Sequence, residues 1–249
     1  MANERREQII QIVNQQHKVA VTDLAQRTKV SLVTMRKDLT ELEAEGLLQR
    51  QHGFAVVNNP DDLNYRLAQH HEEKQRIALA AAELVADNTT IMIESGSACA
   101  LLADTLGQQE KRVTIVTNSY YIANFVASYP NLDVFVLGGK YQPESQVVVG
   151  SLTKQLLQSF HVEQLFVGTD GFDQTNGFSG ANILRTEAAQ EMAQRADDLI
   201  VLTDASKFQK PSLIQQFPLT AVSTVITDSG IAPATADFLR QHSLNLTVV

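Results

Sequence analysis

The chain has 249 residues, is 44% hydrophobic and 19% charged, and carries a formal net charge of −8. That length accommodates two domains, the composition is far from that of a disordered chain, and no run of about 18 apolar residues suggests a membrane span. The opening MANERREQII mixes charges of both signs and has no apolar stretch, so it does not read as a secretory signal. The lone Cys99 excludes an intrachain disulfide, and both features fit a cytoplasmic protein.

The charge is unevenly spread. Residues 1–57 hold eight Lys/Arg and seven Asp/Glu, which leaves 12 basic and 21 acidic residues for the rest of the chain. Between Asp23 and Asp38 stand Arg27, Lys29, Arg36 and Lys37, with no acidic residue among them. Phosphate responds to local positive charge rather than to the sum over the chain, so nucleic-acid contact is expected of the first segment alone.

In chain order, Ile9, Ile10, Ile12 and Val13 fall on one side of a helix over 4–15, which His17-Lys18 ends. Thr22 is expected to cap a second helix with Leu24 and Ala25 inward, followed by a tight turn at Lys29-Val30. Ser31 caps a third helix, in which Leu32, Met35, Leu39 and Leu42 form one buried stripe, and Gly46 stops it. Residues 47–57 read as two short strands around His52-Gly53. Three helices and a hairpin make a winged helix-turn-helix over 1–57.

A linker and the start of a connecting helix occupy 58–74, beginning with Asn58-Asn59-Pro60-Asp61-Asp62; the helix itself is expected from about 67 to 86. Beyond it, apolar strands at 90–93, 113–116, 134–137, 165–167, 199–202, 222–226 and 246–249 alternate with helices, among them 98–106, 122–128 and 186–196. Continuous apolar strands between helices predict a Rossmann-like, mostly parallel α/β domain over 75–249.

The N-terminal part of the second motif helix is the part that enters the major groove. Here it offers Ser31, Val33, Thr34, Arg36 and Lys37; Arg36 can donate a bidentate pair to guanine, and Thr34 can touch a thymine methyl or a phosphate. Arg50 and His52 of the wing are candidates for phosphate contact. In the second domain, ligands are expected beyond the carboxyl ends of the strands. Four polar, glycine-containing runs lie there: Glu94-Ser95-Gly96-Ser97 with Ala98 beginning the helix, Thr117-Asn118-Ser119, Gly138-Gly139, and the run holding Asp170 and Gly171. Hydroxyls, open backbone and a helix start at Ser95-Gly96-Ser97 suit a phosphate, and Lys207 supplies a cation. Cys99 reads as a small buried hydrophobe, and the adjacent His70-His71 cannot chelate from one helix face, so no metal site is expected. Glu72-Glu73-Lys74 reads as a solvated helix face, with an approach of Lys74 to the effector or a neighbouring subunit as the alternative.

The run VTDLAQRTKVSLVTMRKDLTELEAEGLLQRQHGFAVV resembles the N-terminal domain of DeoR-type repressors. Their pattern is a Val-Ser-x-x-Thr-Ile-Arg-Arg-Asp-Leu helix and an Arg-x-His-Gly-Gly wing; Met35, Lys37 and Phe54 stand where the pattern has Ile, Arg and Gly. ESGSA, VTNSYYIA, VFVLGG, FVGTDGF and LTDASKF resemble the sensor domain of the same family, which is similar to sugar-phosphate isomerases such as ribose-5-phosphate isomerase. Glu94 and Ala98 replace the usual Asp and Thr. The resemblance implies a homo-oligomeric repressor, dimer or tetramer, that binds an operator and takes a phosphorylated sugar or related metabolite as effector, with no cofactor and no catalysis. The alternative is a sugar-phosphate isomerase with an appended DNA-binding module, using Asp170, Glu94 or Asp204 as a base. Effector binding is expected to lower operator affinity.

Overall fold

The computed structural model describes residues 2–16, 18–44, 47–57, 61–242 and 244–249. His17, Gly46 and the linker residues Asn58, Asn59 and Pro60 lie outside the described residues. The chain divides into two compact units, Met1–Gln69 and His70–Val249.

The first unit runs α1 (Ala2–Gln16), β1 (Lys18–Ala20), α2 (Val21–Arg27), α3 (Leu32–Ala44), β2 (Leu48–Gln51), β3 (Phe54–Val57) and α4 (Leu63–Ala68). Its sheet is antiparallel in the order β1-β3-β2. His52 and Gly53 both take positive φ (48° and 87°), the pairing that a type I′ turn needs to match strand twist. Ile9, Val13, Leu24, Met35, Leu39, Leu42, Leu48 and Ala55 close one core between helices and sheet. Two expectations are corrected. Thr22 does not cap α2: the helix starts at Val21, whose amide is taken by the Gly53 carbonyl at 3.0 Å, so the wing turn replaces a side-chain cap. Leu32 is 43% exposed. The buried stripe of α3 is Met35, Asp38, Leu39 and Leu42, and at about 100° per residue Leu32 falls to one flank of it, in the first turn. Asp38 enters the core because Arg5 of α1 pairs with it, Nε to Oδ2 at 2.6 Å and Nη2 to Oδ1 at 3.1 Å.

The second unit runs α5 (His71–Glu83), β4 (Thr89–Ile93), α6 (Ser97–Gln108), β5 (Val113–Thr117), α7 (Tyr120–Phe125), β6 (Leu132–Val136), β7 (Lys140–Gln142), β8 (Val147–Val149), α8 (Ser151–Leu157), β9 (Val162–Val167), β10 (Gly171–Asp173), β11 (Gly177–Gly180), α9 (Ile183–Ala193), β12 (Ala196–Leu202), β13 (Ile214–Phe217), β14 (Thr224–Thr227), α10 (Pro233–Gln241) and β15 (Asn245–Val248). Seven strands form one parallel sheet, β15-β14-β12-β9-β4-β5-β6, so their carboxyl ends share one edge. Met92, Val116, Leu165, Val167, Val201 and Val225 carry its core. The hairpin β7–β8 and the small antiparallel sheet β10-β11-β13 are inserted after strand ends of this sheet. The single connecting helix expected from about 67 to 86 is corrected to α4 and α5. Between them His70 stands at φ 51° and ψ 42°, a left-handed residue that no α-helix continues through.

Candidate nucleic-acid interface and effector site

At the start of α3, Ser31 Oγ accepts the Thr34 amide at 3.1 Å and bonds the Thr34 hydroxyl at 2.9 Å. The turn before it is closed by the Val30 amide on the Ala25 carbonyl, with Lys29 at φ 54°. Val33 is 78% exposed, and Arg36 and Lys37 are exposed on the same end of the helix. Several other cations of this unit are consumed internally. Arg5 pairs with Asp38, Arg27 with Asp23, and Arg50 with Glu43. Among the described residues, Lys18, Lys29, Arg36 and Lys37 have no such partner; Lys18 lies over the Phe54 ring, and the other three gather positive charge at the turn and α3.

Arg50 sits differently from a free wing cation. Its Nε donates to Glu43 Oε2 at 2.6 Å, its amide to Oε1 at 2.9 Å, and its Nη1 to Thr40 at 2.9 Å, which straps β2 to α3. The Arg50 amide first, and its guanidinium after it, hold the Glu43 carboxyl below its ordinary value. His52 is exposed at the tip of the wing. Phe54 lies under Lys18 Nζ, 4.6 Å from the ring centroid.

The carboxyl edge of the large sheet gathers the second set. Glu94 follows β4 and is buried; Ser95 Oγ donates to its Oε1 at 2.6 Å, and the Gly168 amide reaches its Oε2 at 3.4 Å. The Ser95 proton is therefore committed to Glu94. Gly96 is needed where it is: a Cβ there would stand 3.1 Å from the Gly168 Cα, so the loops after β4 and β9 touch backbone to backbone. Ser97 and Ala98 are buried in the first turn of α6, whose ladder begins only with Ala100 on the Gly96 carbonyl. Their amides thus precede the helix's own bonding. Asp170 Oδ2 accepts the Ala181 amide at 2.9 Å, and Gly171 is pressed against residues 210–212.

The run after β5 is braced by its neighbours. Thr117 accepts the Ser119 amide at 3.0 Å, Ser119 caps α7 through the Ile122 amide, and Asn118 exchanges bonds with Val148 of β8. Gly138 accepts from the Thr153 hydroxyl at 2.8 Å, backing the loop after β6 onto α8.

Sequence reasoning named Asp204 and Lys207 singly but did not join them to Lys74 in one charged cluster at the end of β12. Asp204 is buried, accepts the Ser206 amide at 3.1 Å, and lies 4.0 Å from Lys74 Nζ of α5, itself buried. Burial alone would raise the Asp204 carboxyl. The Ser206 hydroxyl, with the charges of Lys74, Lys207 and His70, outweighs it and holds the group below its ordinary value. Lys74 is therefore not a solvated residue. Its signal was in the spacing, since Lys74, Ile77, Ala78, Ala81 and Ala82 follow the i, i+3, i+4, i+7, i+8 pattern of one buried face. Lys207 stands half-buried in the turn after Asp204, and Arg185 is buried in the first turn of α9. Glu94, Gly96 and Gly168 are in mutual contact; Lys74, Asp204 and Lys207 form a second group at the end of β12, the strand beside β9.

A winged helix with unpaired cations at its reading helix, in one chain with a parallel α/β unit, is the make-up of a DNA-binding transcription regulator. Residues 5–61 match the DeoR-like helix-turn-helix domain and residues 69–229 the DeoR C terminal sensor domain. The chain belongs to the DeoR family. It is 32% identical to the L-fucose operon activator of Haemophilus influenzae over 97% of this chain and 98% of that one. It is 30% identical to the lactose phosphotransferase system repressor of Streptococcus mutans over 90% and 91%. Among solved structures it is similar to ribose 5-phosphate isomerase A of Methanocaldococcus jannaschii, with 21% identity, a TM-score of 0.42, and about half of each chain covered (56% and 55%). No described helix is long and apolar enough to cross a membrane.

Proposed function

We propose that this regulator is a cytoplasmic repressor whose hold on its operator is released by a phosphorylated sugar or a related anionic metabolite. Ser31, Val33, Thr34, Arg36 and Lys37 face the major groove, Arg36 reads a base, and His52 meets phosphate from the wing. Arg50 acts by bracing the wing. The effector sits at the carboxyl edge of the seven-stranded sheet, its anionic group against the first turn of α6 and within reach of Lys74 and Lys207. The observation that carries this reading is the pairing of a free helix start at Ser97-Ala98 with two cations drawn around buried Asp204 near the same sheet edge.

No cofactor and no turnover belong to the reading. The carboxylates that an isomerase would need as a base are engaged: Glu94 by Ser95 and the Gly168 amide, Asp170 by the Ala181 amide, Asp204 by Ser206. In this arrangement they order the loops around the site. Two recognition helices on neighbouring half-sites require a homo-oligomer, a dimer or a tetramer.

The test uses the full chain. Inorganic phosphate and a panel of pentose and hexose phosphates are screened by thermal shift, and each stabilising compound is added to a gel shift on the regulator's own promoter DNA. The expected result is stabilisation by at least one sugar phosphate, not by its parent sugar, with release of the DNA. Stabilisation by none of them sinks the anion site. Steady isomer interconversion would replace the regulator-only reading with an enzymatic one.

A further inference from the structure

We infer that Gln216, which no motif in the sequence singles out, reads a hydroxyl group of the effector as a hydrogen-bond acceptor; this rests on the anion site proposed above. Gln216 belongs to β13 and is 94% buried, with 6% of its surface exposed. Its Nε2 donates to the Gly168 carbonyl at 3.2 Å. A nitrogen committed to a carbonyl fixes which end of the amide is which, so Oε1 points away from that bond, and it meets no donor. Gln190 Nε2 grips the backbone carbonyl of Gln216 at 3.1 Å, which holds β13 in place.

The location gives this orphan its meaning. Gly168 is the residue whose amide faces Glu94 and whose Cα abuts Gly96. The Gln216 amide is thus one peptide unit from the loop that leads into α6. A second orphan acceptor lies on the other side of that loop. Asn118 is fully buried at the end of β5, its Nδ2 spent on the Val148 carbonyl at 3.3 Å and its Oδ1 without a donor. Strands β9 and β5 flank β4, so the Gly168 carbonyl that Gln216 bonds and Asn118 belong to the loops on either side of the one that leads into α6. Buried acceptors without donors call for a ligand that brings donors. A simple anion brings few or none. A hydroxylated carbon chain carrying the anion brings several. The cations then hold the charged end, and Gln216 and Asn118 distinguish a polyhydroxylated metabolite from a bare phosphate.

The experiment compares wild type, Gln216→Met and Gln216→Glu, all as full chains, titrated by thermal shift with inorganic phosphate and with pentose and hexose phosphates. Wild type is expected to bind at least one sugar phosphate more tightly than inorganic phosphate. Gln216→Met, of similar length with no acceptor oxygen, should cut that advantage on the order of tenfold, the size of one lost hydrogen bond. Its response to inorganic phosphate should stay unchanged. Gln216→Glu gives up the bond to the Gly168 carbonyl but keeps an acceptor oxygen on a side chain of the same length, and should keep the advantage; because its added charge acts on both anions, the ratio still reports the hydroxyl, and this variant decides the matter should the Met variant not fold. An unchanged advantage in Gln216→Met, or its loss in Gln216→Glu, overturns the assignment. So does a wild type that prefers no sugar phosphate over inorganic phosphate, an outcome that leaves the anion site itself standing. Silence with every anion overturns both.

Discussion

Arg36 and Arg50 carry the same charge and are set to different work by their surroundings. Arg36 is exposed on the first turns of α3 without an ion-pair partner, whereas Arg50 is fastened to Glu43 and Thr40. An arginine with a free fork can pair with guanine; one already gripping a carboxylate has spent its donors. Arg36→Ala should therefore cost roughly 1–3 kcal/mol of operator affinity with little change in melting temperature. Arg50→Ala should show the reverse balance, loosening the wing before it weakens a base contact. Gel shifts and thermal melts on both variants decide; equal affinity loss with unchanged melting would remove the distinction. The cluster around Asp204 shows what a sequence hides at this scale. Lys74 stands beside Glu72 and Glu73, which makes it look solvated, and only the fold brings Asp204 from 130 residues downstream to its ammonium. A buried lysine depends on a partner that local sequence cannot name.

At the scale of elements, what was legible followed periodicity. All seven strands of the large sheet announce themselves as apolar runs; for the inner strands β14, β12, β9, β4 and β5 the reason is that a parallel strand covered on both faces has no polar side to show, whereas the edge strands β6 and β15 keep apolar residues that stay partly exposed. The strands β7, β8, β10, β11 and β13 have three or four residues each and lie among turns, too short to carry a period. The lone β1 strand was equally silent, since it is defined by pairing with β3. Capping was readable where a side chain does it and invisible where backbone does: Ser31 caps α3 as its sequence position suggests, while α2 is started by a carbonyl from the wing. Ser31→Ala should accordingly cost about 0.5–2 kcal/mol of stability in the first unit. It should also weaken operator binding, because the same turn of α3 carries Val33, Thr34 and Arg36. Chemical denaturation followed beside DNA titration measures the two effects; an affinity loss with no stability loss would mean that Ser31 touches DNA rather than shaping the helix.

For the whole molecule, charge and ligand act on one equilibrium by different routes. The first segment is nearly neutral in sum, yet leaves its unpaired cations at α3, and the acidic excess lies after residue 57. Operator binding should fall with salt with a slope set by the few cations that neutralise phosphates, about 0.9 per contact, and Lys37→Ala should reduce that slope by about one. The effector, by contrast, is proposed to act through the His70–Val249 unit, which removes no cation from the DNA. Saturating effector should then lower the affinity while leaving the salt slope as it was. Linkage adds a reciprocal demand: operator DNA must weaken effector binding by the same factor by which the effector weakens DNA binding. Titrating the effector with and without operator, and the operator with and without effector, closes that square. Unequal factors would show that a further state, such as a change in assembly, takes part. A salt slope that drops with effector would mean that the metabolite acts on the DNA-facing cations themselves, and the two-site account would give way to direct competition.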